Sequence, residues 1–393
     1  MRLARTRTVL VVLLVGATGS LTAAPAFGAV AGRTAPTCDL IVADVEPDVR
    51  TQRDWERFGD RAVAGEWAGA DGTYSAALPD GRIAWLFNDT FLGPVGPGRS
   101  IQPHDPVHNT IVTTRRGSDR PVTTVLGDGT AAGEPLPIVG PPGTDQPWYW
   151  NADGIVDEGR LYVFEAKQQA AGEGHFGFEW IGTDLAVLSL PDLKVERVVP
   201  TYDSADITWG VELLPVDGYI YIYGVRQLKE FPGTKEALVA RAGEGELDGT
   251  WEFYTGDGWS SNEHDATAIA GDVGSSYGVS EVNEQYVMVT TDSFLGSAIY
   301  TLTASSPFSF AGVTRRQIYD TPEGQPEYDD TASGDIYTYN VAAHPVLSRK
   351  NTLAVSYNVN STGIDDLFRD ISNNRARFLE IRFKPQPPNC RAS

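Results

Sequence analysis

The chain has 393 residues, and 52 acidic against 31 basic side chains give it a formal net charge of −21. That balance excludes a nucleic-acid binder, which needs a basic face for phosphates, and the chain lacks the repeated apolar stretches of about 20 residues that a polytopic membrane protein needs. With 41 Gly, 25 Pro and nine Trp, the composition suits a turn-rich folded β protein and opposes both a helical bundle and acidic disorder.

At the N-terminus, Arg2, Arg5 and Arg7 precede the apolar run Val9 to Val15. Small residues follow, with Ala29-Val30-Ala31 as the cleavage pattern and Ala24-Pro25-Ala26 as a second option. Residues 1–31 therefore read as a secretory signal peptide, because the apolar run is too short to span a bilayer. The remainder, 32–393, is expected to be secreted as a single catalytic domain and a monomer, free of the membrane after cleavage. Its two cysteines, Cys38 and Cys390, lie near its ends. An oxidising compartment predicts a disulfide between them that ties the termini together. Short helices are expected only at 53–58 and 365–370.

Between these ends one pattern recurs five times: a turn, then an alternating strand rich in aromatic and β-branched residues. The copies are Asp80–Thr90, Glu158–Glu165, Asp217–Gly224, Asn283–Asp292 and Asn351–Asn358, starting 78, 59, 66 and 68 residues apart. Each follows another short strand: Thr73–Leu78, Trp150–Val156, Trp209–Leu214, Tyr277–Val282 and Asn340–Pro345. Five hairpins with room for two further strands each predict an all-β fold, a five-bladed β-propeller, with the terminal disulfide helping to close the ring.

Propeller blades turn their first strands to a central channel, so polar residues there are the site candidates. In the first blade, a three-residue loop centred on Asp80 would pair Asp71 with Asp89 across the hairpin, about 4.5–5.5 Å apart at Cβ. Two such carboxylates would titrate apart, one staying protonated near neutrality, as a general acid beside a base or nucleophile requires. Trp150, Asn151 and Asp153, Trp209 and Glu212, Ser280 and Glu281, and Tyr339, Asn340 and His344 add polar and aromatic lining suited to sugar rings. Glu165 and Asp292, at second-strand ends, are secondary candidates, and Glu212 is an alternative partner carboxylate. His104 and His108 lie four apart in a Pro-rich loop, a poor zinc spacing. No phosphate-binding loop, dinucleotide fingerprint or G-x-S-x-G elbow occurs, and Asp248–Trp251 is only part of a sialidase Asp-box. No cofactor is required on this reading; a structural cation in the channel near His344 is one option.

The stretch Gly69–Ser75, then Trp85–Gly93, resembles the start of the secreted propeller family catalogued as domain of unknown function 4185. Trp209–Glu212, Tyr221–Gly224, Ala343–Pro345 and Ser356–Asn358 are similar to that family's later blades, so the resemblance covers about residues 60–385. Asn88 departs from it, standing where Gly often precedes the Asp. The family includes endo-D-arabinanases, which cut the D-arabinan of mycobacterial arabinogalactan and lipoarabinomannan. The resemblance implies a glycoside hydrolase, an arabinan substrate and a catalytic aspartate pair at Asp71 and Asp89. Asp71 would be base or nucleophile and Asp89 general acid, or the reverse. Direct cross-strand pairing would favour retention of configuration; a groove with room for water would favour inversion. A non-catalytic glycan-binding propeller or a hydrolase of another furanoside or sialoside are the alternatives.

Overall fold

A computed structural model describes residues 40–385, apart from 129, 132–133, 229–232, 293, 326–327 and 329–334. The signal segment and both cysteines lie outside the described residues. Five antiparallel sheets follow one another along the chain. Blade 1 runs Trp67–Ala77, Ile83–Leu92, Val107–Thr114 and Pro121–Val125. Blade 2 runs Trp148–Asp157, Arg160–Ala170, Phe178–Ser189 and Val195–Pro200. Blade 3 begins with Ile207–Val216, Tyr219–Gln227 and Lys235–Gly243 and carries short extra strands at its rim. Blade 4 comprises Tyr277–Val282, Gln285–Thr291, Ala298–Ala304 and Arg316–Asp320. Blade 5 takes Ile336–Ala343, Thr352–Ser361 and Ala376–Phe383. The five first strands neighbour one another in cyclic order and form the inner ring of the expected five-bladed propeller.

The turn chemistry explains the hairpins. Three turns have two central residues, both at positive φ: Glu158-Gly159, Asp217-Gly218 and Asn283-Glu284. That is the type I′ geometry, whose twist matches the flanking strands. Blade 1 has the predicted three-residue loop, in which Leu78 and Arg82 pair and Asp80 accepts from the Arg82 amide at 3.1 Å.

Ring closure comes from a strand. Val42–Pro47 pairs with Ala376–Phe383 as the fourth strand of blade 5, so the chain's first described strand completes its last sheet. The helix Val49–Gly59 follows, started by Asp48, whose carboxylate accepts from the Arg50 and Thr51 amides. It delivers Trp55 into the seam between blades 5 and 1, where Trp67, Trp85 and Phe87 surround it with ring centroids 5.1–5.3 Å away. Removing so large a buried ring costs about 3–5 kcal/mol. Buried Arg375 reinforces the seam, bonding the Ala68 carbonyl at 2.7 Å and Asp60 at 2.8 Å. The second helix, Ile364–Arg369, lies where expected, and among the described residues no helix is long and apolar enough to cross a membrane.

Candidate active site at the mouth of the channel

Near its turn, the first hairpin keeps the register expected for it: Ala77 opposes Ile83 and Tyr74 opposes Leu86. The register then shifts at Gly72-Thr73, both at positive φ (83° and 70°). A Cβ on Gly72 would meet the Asn88 side chain at 2.9 Å, so this bulge needs glycine. A β-branched Thr at φ +70° is an outlier held by its surroundings; the buried Asn358 amide donates to its hydroxyl at 3.0 Å. As a result Asp71 faces Asn88, not Asp89. Asp89 sits one residue further on at φ +24°, between the pairs Asn88–Asn109 and Thr90–Val107, where His108 meets it. The direct cross-strand pair expected from the turn is therefore corrected by the bulge.

The two carboxylates remain close enough to influence each other, and their surroundings differ. Asp71 accepts hydrogen bonds from the Tyr339 hydroxyl and, at 3.5 Å, from Asn360 Nδ2. Asn360 also donates to Tyr339 Oη at 3.0 Å, which orients that hydroxyl. Burial first, then the charge of Asp89, pushes the Asp71 carboxyl up to about 7, against the pull of the Tyr339 bond. Asp89 instead faces two donors at one oxygen: His108 Nδ1 at 2.9 Å and Trp150 Nε1 at 3.0 Å. The other His108 nitrogen points at the Gly143 carbonyl, 3.2 Å away. Burial lowers the His108 pKa, but the hydrogen bond and charge of Asp89 outweigh it and the net shift is upward. With acceptors at both nitrogens, the ring is suited to the imidazolium form, paired with the Asp89 carboxylate.

Of the residues singled out in the sequence, Asp71, Asp89, Trp150 and Tyr339 come together here. The others are placed differently. Asn151 is a buried clamp between blades, donating to the Phe87 carbonyl at 2.9 Å and the Thr110 carbonyl at 3.3 Å. Trp209 is sealed among Trp251 and Phe253, its indole nitrogen bonded to Glu263 at 2.8 Å. Ser280 lies near the blade 4 turn, where a cavity of about 310 Å³ also bordered by Arg349 and Lys350 opens between the turns of blades 4 and 5. His344 is fully buried; its nitrogens each lie 2.8 Å from a hydroxyl, of Ser75 and of Ser356, and burial lowers its pKa to about 3. A neutral histidine so engaged has no nitrogen to offer a ligand, and among the described residues no three His, Cys, Asp or Glu side chains gather so as to hold a metal.

Glu212 lies with Asp153 deeper in the channel. Asp153 is in a bulge of its own first strand, and Glu212 follows one around Gly210. Gly210 has φ +84°, and a Cβ there would collide with Phe164 at 2.1 Å. Both acids are buried; burial raises Asp153 to about 7, and burial with the charge of Asp153 raises Glu212 well above the ordinary range. Asp153 accepts the Leu213 amide at 2.8 Å. Glu165 is fully buried with no hydrogen-bond partner on either oxygen among the described residues.

Sequence reasoning missed Asn360 and weighed His108 only as a zinc ligand in a loop. His108 is on a strand, Val107–Thr114, and not in the Pro-rich loop before it. The alternation of that strand against Asp89 was the signal available.

A five-bladed propeller with an asymmetric carboxylate pair at the mouth of its channel is the class this chain defines. Its sequence matches the family described as domain of unknown function DUF5005 over residues 52–383, and the chain belongs to that family. The match is to this family; the resemblance to domain of unknown function 4185 rests on the motifs alone. No curated protein matches the chain. Among solved structures it is similar to a presumed hydrolase from Bacteroides ovatus ATCC 8483, at 20% identity and a TM-score of 0.69, covering 86% of this chain and 90% of that one. Weaker similarity, with a TM-score of 0.46 and 10% identity, links 88% of the chain to all of a protein of unknown function from Dyadobacter fermentans DSM 18053. A GH43_1 enzyme from Xanthomonas citri complexed with xylose gives 0.45 and 13%, over 84% of this chain and 92% of that one.

Proposed function

We propose that the protein is a secreted glycoside hydrolase, an endo-D-arabinanase acting on arabinan of the mycobacterial arabinogalactan type. The observation that carries the reading is the unequal pair: Asp71 raised to about 7, and Asp89 paired with His108 and Trp150. A hydrolase of glycosidic bonds needs one proton donor and one carboxylate at the same bond. Asp71 is therefore the general acid and Asp89 the base. The Asp71 carboxyl gives its proton to the glycosidic oxygen as the bond from that oxygen to the anomeric carbon breaks. Water attacks that carbon and gives its proton to Asp89, whose charge stabilises the oxocarbenium-like transition state. The displaced register of Asp89 favours a water between the carboxylates and hence inversion. Half-buried Trp150 and Phe178, with ring centroids 4.7 Å apart, offer an aromatic face beside Asp89 for a sugar ring. Export rests on the N-terminal signal pattern, and arabinan on the motif resemblance. The Bacteroides ovatus neighbour's description as a presumed hydrolase agrees with the class.

The test is incubation of the mature protein with mycobacterial arabinogalactan, reading released oligosaccharides by chromatography and the first-formed anomer by proton NMR. A ladder of arabino-oligosaccharides from wild type, absent with Asp71→Asn and Asp89→Asn, is the expected result. Binding without release would instead make the protein a glycan-binding propeller. Loss of release in Glu212→Gln, with Asp89→Asn still active, would move the second catalytic carboxylate to the channel.

A further inference from the structure

One loop of blade 2 reaches across the channel mouth. Residues 171–177 join the second and third strands, and the loop is closed on itself: Ala171 N bonds the Gly177 carbonyl at 2.9 Å and Gly177 N the Gly174 carbonyl at 3.0 Å. Its tip extends to the first strand of blade 5, where His175 Nε2 lies 2.8 Å from the Tyr337 hydroxyl. Phe176 meets Tyr337 at 6.2 Å and Phe294 of blade 4 at 5.7 Å between ring centroids. Phe294 and Tyr337 both pack on Tyr339, at 5.9 and 5.2 Å, and Tyr339 is the residue that holds Asp71. The charge of Asp89 reaches His175, and those of Asp71 and Asp89 reach Tyr337, so the strap lies near the carboxylate pair.

Blades 2 and 5 flank blade 1 on either side. The strap therefore reaches Asp71 through the aromatic packing on Tyr339, whereas the Trp150–Phe178 pair adjoins Asp89. Phe176, Phe294 and Tyr337 are each half-buried. Aromatic rings so placed bind sugar rings by stacking against their apolar C–H faces.

We propose that the 171–177 strap forms a second sugar-binding subsite, with Phe176 as its contact ring and His175, bonded to Tyr337, as the residue that positions it. The inference rests on the glycoside hydrolase reading of Asp71 and Asp89. The substrate then spans both aromatic faces, with the carboxylates between them, and the unit it takes is an oligosaccharide rather than a single sugar.

The experiment compares wild type, Phe176→Ala, His175→Ala and His175→Gln on arabino-oligosaccharides of increasing length. Oligosaccharide binding to the same strap variants made in Asp71→Asn is read by tryptophan fluorescence. Phe176→Ala should raise KM about tenfold on the longer oligomers and leave kcat within about twofold. His175→Ala should act in the same direction, and His175→Gln, which can still accept from the Tyr337 hydroxyl, should restore most of the loss. Unchanged KM, or a fall in kcat alone, overturns the inference while leaving the hydrolase reading standing. Should Phe176→Ala fail to fold, Phe176→Leu serves instead, and an unchanged KM there overturns the inference equally. If wild type neither cleaves nor binds arabinan, the arabinanase reading falls, and a panel of xylan, L-arabinan and dextran decides the strap. Weaker binding by Phe176→Ala of whichever glycan binds supports the subsite; binding of none overturns both.

Discussion

Two pairs of carboxylates occupy the inner strands of this propeller, and they differ in what surrounds them. Asp153 and Glu212 are both buried in the channel and both raised, so burial acts on them in the same direction. Asp71 and Asp89 lie at the mouth, where Tyr339 holds one and a His108–Trp150 clamp holds the other. Closeness alone makes two acids share a proton. Assigning one as donor and the other as acceptor takes unequal hydrogen bonding, and reaching a polymer takes access. The mouth pair has both. Tyr74 is buried near both pairs, and the charges of Asp153, Asp71 and Glu212 add to the burial that raises its hydroxyl.

The largest expected effect follows directly. Asp89→Asn should lower kcat on arabinan at least about a thousandfold, since it removes the base and leaves the rest of the site in place. Glu212→Gln should change kcat by no more than about threefold on the same reading. Equal losses in the two variants would erase the distinction between the pairs. Stability gives a second contrast. The native Asp71 carboxyl holds its proton up to about 7, against an ordinary 3.8, and Asp153 does the same. A group raised in the folded state costs nothing below the unfolded value. Its cost grows as pH rises from about 4 towards 7 and is complete above that. Asp71→Asn and Asp153→Asn should thus match wild type in urea unfolding near pH 4 and exceed it by about 2–4 kcal/mol at pH 8. Only the first should lose activity. A gain of the same size at both pH values would mean that ionisation is not its source.

The ten inner-hairpin strands were readable because their signals are local. Alternating aromatic and β-branched residues define the strands, and Asp217-Gly218 or Glu158-Gly159 define the turns. The blade 1 register was readable for the same reason, but only as far as Thr73. Beyond it, two successive positive-φ residues shift the pairing by one, and nothing in Gly72-Thr73 announces the bulge in advance. The closing strand was hidden by distance: Val42–Pro47 is short and acidic, and its partner lies more than 300 residues away. Ring closure was accordingly assigned to the cysteines, which lie outside the described residues. The aromatics could be named as apolar residues, but which of them are fully buried, as Trp209 is, and which half-buried, as Trp150 is, depends on neighbouring blades. His175 and Phe176 lie in a Gly-rich loop whose role is visible only once blades 2, 4 and 5 are set around the mouth.

The smallest effect probes the asymmetry most directly. Activity should fall as pH rises through about 7, because Asp71 then loses the proton it must donate. Part of what holds that proton is the negative charge of Asp89, which His108 partly offsets. His108→Gln keeps a polar side chain opposite Asp89 and removes the cation. Asp71 then feels more of the Asp89 charge, so its carboxyl should stay protonated to higher pH. The alkaline limb of kcat/KM should move up by about half a unit. The sign is diagnostic. An alkaline limb left in place would mean that the Asp71 proton does not set it, and would overturn Asp71 as the donor. A pH profile of the two proteins on one oligosaccharide reads that limb.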